Sequence, residues 1–253
     1  MTAKPYTVWI TGAGTGIGRA LALLYAAEGC RVVITGRRRE ALDEVVAAGS
    51  SLPGEIRPLP GDVTDEPGMR AMADTLRVAG MVPDVAILNA GNHIPTWGKN
   101  FRVSDYRALM EVNYFGVVHG LAALLPLMRA RGSGQIVIVA SLAGYRGLPG
   151  AAAYGASKAA LINMAEALRP ELAREGLDLR LVNPGFVATP LTDRNEFEMP
   201  FLIDADTAAL SIHKGLRGKR FEITTPRRFA FLMKILRLLP AGLFFSLTRR
   251  LLP

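Results

Sequence analysis

Short apolar runs recur along this chain with helix-length stretches between them, and that alternation limits the possible folds more than any other feature. The runs are YTVWIT, RVVIT, EIRPLP, DVAILN, GQIVIVA and LDLRLVNP. They are rich in Val, Ile and Leu and mostly continuous, as strands buried on both faces are. The stretches near 16–29, 38–48, 65–79, 104–130 and 153–175 have helical length and periodicity. Strands alternating with helices require right-handed crossovers. The fold expected is therefore α/β, a doubly wound, Rossmann-type parallel sheet with helices on both faces. With 253 residues, 50% of them hydrophobic, the chain is long enough to cover such a sheet.

The first run ends in Thr11-Gly12-Ala13-Gly14-Thr15-Gly16-Ile17-Gly18 and leads into a helix. A phosphate sits at a helix N-terminus only where the backbone approaches it closely, and a Cβ at the turn obstructs that approach. Gly12 suits the tight turn, Gly16 the close approach and Gly18 the packing of helix on sheet. With Thr15 and Ile17 they form a candidate dinucleotide loop of spacing G-x-x-x-G-x-G. Strand two ends at Gly36-Arg37-Arg38-Arg39 with no acid at its tip. A carboxylate there would accept hydrogen bonds from the ribose of NAD, whereas Arg pairs bidentately with a 2′-phosphate. Arg37 therefore favours NADP (NADPH) over NAD, and Arg39 reads as a solvated helix start. Asp62-Val63 follows strand three, where Asp62 either hydrogen-bonds an adenine amino group or caps the next helix.

Tyr154-Gly155-Ala156-Ser157-Lys158 places Tyr and Lys at i and i+4, on one face of a helix. A phenol titrates near about 10 in isolation, and a neighbouring ammonium lowers that value. Ser141 follows the run GQIVIVA directly, and the carboxyl end of a parallel strand faces the ligand crevice. Its hydroxyl there can hold a substrate carbonyl. Asn113 lies inside a long helix, where Asn is unfavourable. It is either a satisfied buried amide or the holder of a water in a proton relay.

Taken together these residues resemble the short-chain dehydrogenase/reductase family in its single-domain form. The resemblance rests on Thr11-Gly12 through Gly18, Asp62-Val63, Asn89-Ala90-Gly91, Asn113, Ser141, Tyr154 with Lys158, and Pro184-Gly185, in the family's order and spacing, over roughly residues 5–225. It implies Tyr154 as general acid in carbonyl reduction and Ser141 as anchor of the substrate oxygen. It implies Lys158 on the nicotinamide ribose, lowering the Tyr pKa, and Asn113 holding the relay water. Asn89, Ala90 and Gly91 would line the cofactor cleft. Pro184, Gly185 and Thr189 would flank the nicotinamide, with the backbone of Val187 reaching its carboxamide. One position departs from the pattern: many members carry two Asn before Ala-Gly, and here the first is Leu88. The implied activity is NADP-dependent transfer of hydride between the nicotinamide and a lipophilic ketone, aldehyde or alcohol. The alternative is a non-catalytic dinucleotide-binding sensor or scaffold, against which the full Asn-Ser-Tyr-Lys set argues.

The substrate lip is expected from residues 142–150 and 186–203, the latter carrying Phe186, Leu191, Phe197, Met199, Phe201 and Leu202. Charge is concentrated at the other end of the chain. The net charge is +8, yet ten Lys/Arg and one acid lie from Lys214 onward, leaving 20 bases against 21 acids before it. The division expected is a catalytic domain over 1–225 and a basic amphipathic extension over 226–253. Its longest charge-free stretch, Leu238–Thr248, is too short to span a bilayer. It would lie on a membrane surface, dock on the body as a lid, or bury its apolar face in a homo-oligomer. No base-reading motif points to nucleic acid. A single Cys30 and scattered His93, His119 and His213 offer neither a disulfide framework nor metal-ligand spacing. The N-terminus runs straight into the glycine motif without a signal peptide's apolar core, so a cytoplasmic protein is expected, with the extension a candidate for peripheral contact at the inner membrane face.

Overall fold

A computed structural model of the chain describes residues 6–194 and 199–252. Seven strands, β1 (Thr7–Thr11), β2 (Arg31–Thr35), β3 (Glu55–Pro58), β4 (Val85–Leu88), β5 (Gly134–Val139), β6 (Leu177–Pro184) and β7 (Glu222–Thr225), form one sheet in the order β3-β2-β1-β4-β5-β6-β7. Every neighbouring pair is parallel. The sheet reverses its winding direction between β1 and β4, which opens a crevice at the carboxyl ends of those strands.

The continuous apolar character of the strands follows from cover on both faces. Successive side chains point to opposite sides, so Trp9, Val33, Ala86, Ile136 and Ile138 fall into one core, and Val8, Ile10, Val32, Ile34, Ile87 and Val137 into the other. The first core is closed by α3 (Glu66–Val78), α5 (Gly116–Arg131) and α6 (Ala152–Arg174), the second by α1 (Gly16–Ala27), α2 (Arg39–Ala48) and α7 (Ala205–Leu216). Trp9 is fully buried in a central strand, and its indole N–H donates to Thr35 Oγ1 at 2.8 Å. That bond removes the cost of sealing a lone donor in the core.

The stretch expected as one helix over 104–130 is divided. Helix α4 (Val103–Met110) runs into a single π-helical turn, Glu111–Phe115, before α5 begins. Val103–Arg131 is long and apolar enough to cross a membrane by composition, but Val117, Leu121, Leu124 and Met128 pack against the sheet. The region after Pro184 holds two elements that no apolar run signals, α7 and the edge strand β7. The strand is only four residues, EITT, and half of it is Thr. Asp204 caps α7 by accepting from Thr207 N–H at 2.7 Å, an ordinary helix start in a segment lacking a long apolar run.

Beyond Pro226 the chain continues as α8 (Arg227–Leu238) and α9 (Ala241–Thr248), separated at Pro240. Their inner face is docked on the body. Phe229, Ala230 and Met233 join the core cluster that contains Leu142, Tyr145 and Leu161. The Phe229 ring stacks on Phe186 and on Phe201, with centroids 5.4 and 5.8 Å away. Arg146 donates to the carbonyls of Leu236, Arg237 and Leu239, at 2.8, 3.1 and 2.6 Å, satisfying the open end of α8. The same guanidinium lies 3.9 Å from the centre of the Phe244 ring. Lys234 pairs with Glu222 of β7 at 2.5 Å.

This packing gives α8 a measurable weight in stability. Met233 is 2% exposed, so Met233→Ala is expected to destabilise the chain by about 2–5 kcal/mol in urea unfolding. A change below about 0.5 kcal/mol would mean that α8 is not part of the folded core.

Candidate active site

The crevice at the carboxyl ends of β1, β4, β5 and β6 is a cleft of about 510 Å³. It is lined by Gly12, Thr15, Gly16, Ile17, Arg37, Asp62, Val63, Asn89, Ala90, Gly91, Ser141, Tyr154, Lys158, Pro184, Gly185, Val187 and Thr189, all expected from the sequence. Two expected residues lie outside its lining. Gly18 is buried beneath the loop, where a Cβ would stand 2.4 Å from Gly12 O and 2.7 Å from Asn89 Nδ2. A hydrogen in place of a Cβ thus lets α1 lie close to the loop. Asn113 is also buried behind the wall.

The loop between β1 and α1 needs glycine for two reasons. Gly12 and Gly16 have φ of 66° and 55°, a region that L side chains rarely adopt. A Cβ on Gly12 would meet Ala90 Cα at 2.7 Å, and one on Gly16 would meet Thr189 Cγ2 at 2.9 Å. Asn89 fixes the loop: its Nδ2 donates to the carbonyls of Thr11 and Gly12, both at 3.1 Å. Thr15 precedes α1 without capping it through its side chain, which leaves the first N–H groups of the helix facing the cleft. An anion is stabilised by such an array. The cleft thus fits a dinucleotide, whose phosphates would face the Gly12–Ile17 loop.

At the tip of β2 the three arginines separate. Arg39 pairs with Asp43 at 2.9 Å, one helical turn on, as a solvated helix start does. Arg37 and Arg38 line the cleft, and among the described residues neither forms an ion pair. Asp62 is not the cap of α3, since that helix starts after Asp65. Asp62 Oδ1 accepts from Thr64 N and Oγ1 at 3.0 and 2.9 Å, an Asx turn that holds its carboxylate on the cleft wall.

The polar constellation sits between β5 and α6. Ser141 Oγ accepts from Ala143 N–H at 3.1 Å and donates to Pro184 O at 3.4 Å. Burial raises the Tyr154 pKa above its ordinary value, and the Ser141 contact opposes that shift. Lys158 is buried, donates to Val139 O at 3.0 Å, and lies 5.8 Å from the centre of the Tyr154 ring. Burial lowers its ammonium from 10.5 to about 8. Both Asn113 amide hydrogens are used, donating to Asn92 O at 3.0 Å and Ser157 Oγ at 2.9 Å, and its Oδ1 accepts from Asn92 N at 2.7 Å. These bonds satisfy the side chain as a buried amide. The π-helical turn brings the side chain there; such turns are frequent at functional sites.

Several neighbours carry no motif signal of their own. His93 packs edge-on against Tyr154, ring centroids 4.9 Å apart. Asn92, Arg38 and Thr192 line the cleft. Thr192 Oγ1 donates to Val187 O at 2.7 Å, which pins the segment that closes over the glycine loop. Only adjacency to the motif positions marks these residues in the sequence. Of the expected lip, Leu191 lines the cleft and Phe186 and Phe201 stack on Phe229 of α8, while Phe197 lies outside the described residues.

Residues 6–199 match the family model described as short chain dehydrogenase. A relative from Myxococcus xanthus named an uncharacterized oxidoreductase is 38% identical over 250 residues, covering 97% of each chain. A short chain dehydrogenase/reductase from Burkholderia phymatum, solved in complex with NAD, superposes with a TM-score of 0.83 at 25% identity, covering 92% of this chain and 93% of that one. A short-chain dehydrogenase from Sphingobium yanoikuyae, solved in complex with NADPH, does so with a TM-score of 0.80 at 25% identity, covering 87% of this chain and 88% of that one.

The buried ammonium has a pH signature. Between about pH 8 and 10.5 the unfolded chain holds a Lys158 proton that the folded chain has released, so this group makes stability rise with pH across that window. The gain approaches roughly 3 kcal/mol, because each tenfold difference in proton affinity is worth about 1.4 kcal/mol. Lys158→Met should flatten the rise, seen as a difference between the two proteins' urea midpoints near pH 8 and near pH 10. Parallel pH profiles would place the ammonium in water rather than in the wall.

Proposed function

The chain belongs to the short chain dehydrogenase family and is an oxidoreductase, and from that premise we propose that it is an NADPH-dependent carbonyl reductase, working in reverse as an alcohol dehydrogenase, on an apolar ketone, aldehyde or alcohol. The observation that carries this reading is the convergence of Ser141, Tyr154 and Lys158 on one cleft beside the glycine loop. A protein that only binds the dinucleotide has no use for that set, and nothing favours the scaffold alternative.

Bound in the cleft, the reduced nicotinamide supplies the hydride for the carbonyl carbon. The rest is done by this chain. Ser141 Oγ–H and Tyr154 Oη–H both donate to the substrate's carbonyl oxygen, where negative charge develops during transfer. The Tyr154 phenol then gives its proton to that oxygen, leaving the alcohol. A phenol is protonated at neutral pH, as a general acid must be, and burial raises the Tyr154 pKa further. The Lys158 ammonium holds the nicotinamide ribose and stabilises the phenolate that remains. Asn113 acts at one remove, fixing the Asn92 backbone at the cleft and Ser157 on the helix that carries both Tyr154 and Lys158.

The preference for NADPH rests on Arg37 and Arg38, which face the cleft with no acid beside them at the tip of β2. The apolar substrate rests on the rim, where Leu191 borders the cleft and Phe186, Phe201 and Phe229 stack behind it.

Tyr154→Phe removes the proton donor alone. Turnover with NADPH and a lipophilic ketone should fall about a thousandfold or more, while NADPH still quenches the protein's fluorescence with near wild-type affinity. Wild-type turnover in that variant would refute the assignment. Arg37→Asp should weaken NADPH binding by about 1.5–3 kcal/mol and move preference toward NADH. A wild-type protein that already prefers NADH in a side-by-side assay would exclude the phosphate-reading role.

A further inference from the structure

The inner face of α8 and α9 is docked, but their outer face is covered by nothing among the described residues. Phe231, Leu232, Ile235 and Leu238 form an exposed stripe on α8, with Leu238 84% exposed. Leu243, Phe245 and Leu247 are exposed on α9, and so are Leu202 and Phe201, the latter stacked on Phe229 beside Gly185 of the cleft lining. Soluble surfaces seldom leave so many large apolar side chains together in water. Arg227, Arg228, Arg237, Arg249 and Arg250 are all exposed around this face. Among the described residues Arg227, Arg228, Arg249 and Arg250 form no ion pair. Residues 227–252 contain no Asp or Glu.

The charge decides between occupants. A two-fold contact with a second copy would set this patch against itself, arginine facing arginine with no acid to answer. An anionic surface answers all of them at once. The helices have 12 and 8 residues with Pro240 between them, too short to cross a bilayer and suited to lying along its interface. We propose that the outer face of α8 and α9 is a membrane-docking surface that binds anionic lipid bilayers, the apolar stripe entering the headgroup boundary and the arginines meeting lipid phosphates. Because Phe201 stacks on Phe229 and is itself exposed, docking brings the rim of the cleft beside the lipid. An apolar carbonyl substrate concentrates in that phase, a corollary that rests on the substrate reading above.

Vesicle flotation tests the docking without cofactor or substrate, so its outcome is separate from that of the reductase reading. The full chain should bind vesicles of equal phosphatidylglycerol and phosphatidylcholine at least about tenfold more tightly than pure phosphatidylcholine vesicles, and added salt should weaken the binding. Phe231→Ser with Leu238→Ser should abolish flotation. Arg249→Gln with Arg250→Gln, in the final turn, should lower affinity for anionic vesicles about tenfold or more with the melting temperature unchanged. Equal binding to both vesicle types, or none to either, overturns the proposal. So does a wild-type dimer in sedimentation that Leu238→Ser dissociates in the absence of vesicle binding, which would assign the face to a second copy of the chain.

Discussion

Asn89 ties the carboxyl ends of β1 and β4 together, and the site is built outward from that knot. Its side chain holds the carbonyls of Thr11 and Gly12, while its own N–H and that of Ala90 donate to Thr11 Oγ1 at 3.0 and 3.1 Å. A parallel sheet offers no hydrogen bond across its switch point once the strands diverge, so a side chain must supply it. With the two ends fixed, Gly12 can lie against Ala90, Gly18 can bring α1 down on the loop, and the helix N-terminus is aimed into the cleft. Gly91, two residues on, lies against both Asn113 and Lys158, where a Cβ would stand 3.2 and 3.5 Å from their polar atoms. One short segment therefore positions the phosphate loop on one side and the ammonium on the other.

The opposite wall has a second polar junction, centred on Glu222. Its carboxylate accepts from the Tyr145 hydroxyl, from Asn183 Nδ2 at 2.8 Å and from Lys234 at 2.5 Å. Burial alone would raise the pKa of Glu222, but the bonds from Lys234, Tyr145 and Asn183 outweigh it and hold the carboxyl below its usual value. Tyr145 follows the Ser141 turn, Asn183 precedes Pro184-Gly185, and Lys234 lies on α8. The junction thus joins the loop bearing Ser141, the end of β6 and the C-terminal helix α8. Gly185 completes the contact: a Cβ there would strike the Phe229 ring at 2.7 Å.

Much of this is legible in the sequence because each feature carries a local signal. Continuous Val/Ile runs mark strands buried on both faces, glycine at Gly12 and Gly16 marks backbone that must turn left-handed, and Tyr154 with Lys158 falls at helical spacing. The resemblance then orders residues far apart in sequence into one cleft. What escapes is decided by tertiary context. The edge strand β7 is short and rich in Thr, and it exists because β6 offers it a pairing edge. The π-helical turn at Asn113 has no periodicity of its own. At the tip of β2 the sequence separates Arg37 from Arg39, but only packing puts Arg38 in the cleft beside Arg37. The C-terminal segment shows its apolar and basic character plainly, but not that Phe229, Ala230 and Met233 of α8 join the core or that Phe244 of α9 is buried under Arg146.

The π-helical turn also bears on how this chain can change over generations. Inserting one residue into a helix rotates everything beyond it by about 100°. Here that rotation lets a continuous run of 29 residues serve two neighbours, α4 lying against α6 and α5 against α3. A one-residue deletion within Glu111–Phe115 would restore ordinary winding and turn one half away from its neighbour. Asn113 would leave Asn92 and Ser157 at the same stroke. Substitutions on the outer surface of this helix are open to drift, but its length is not: insertions and deletions belong in the loops before Val103 and after Arg131.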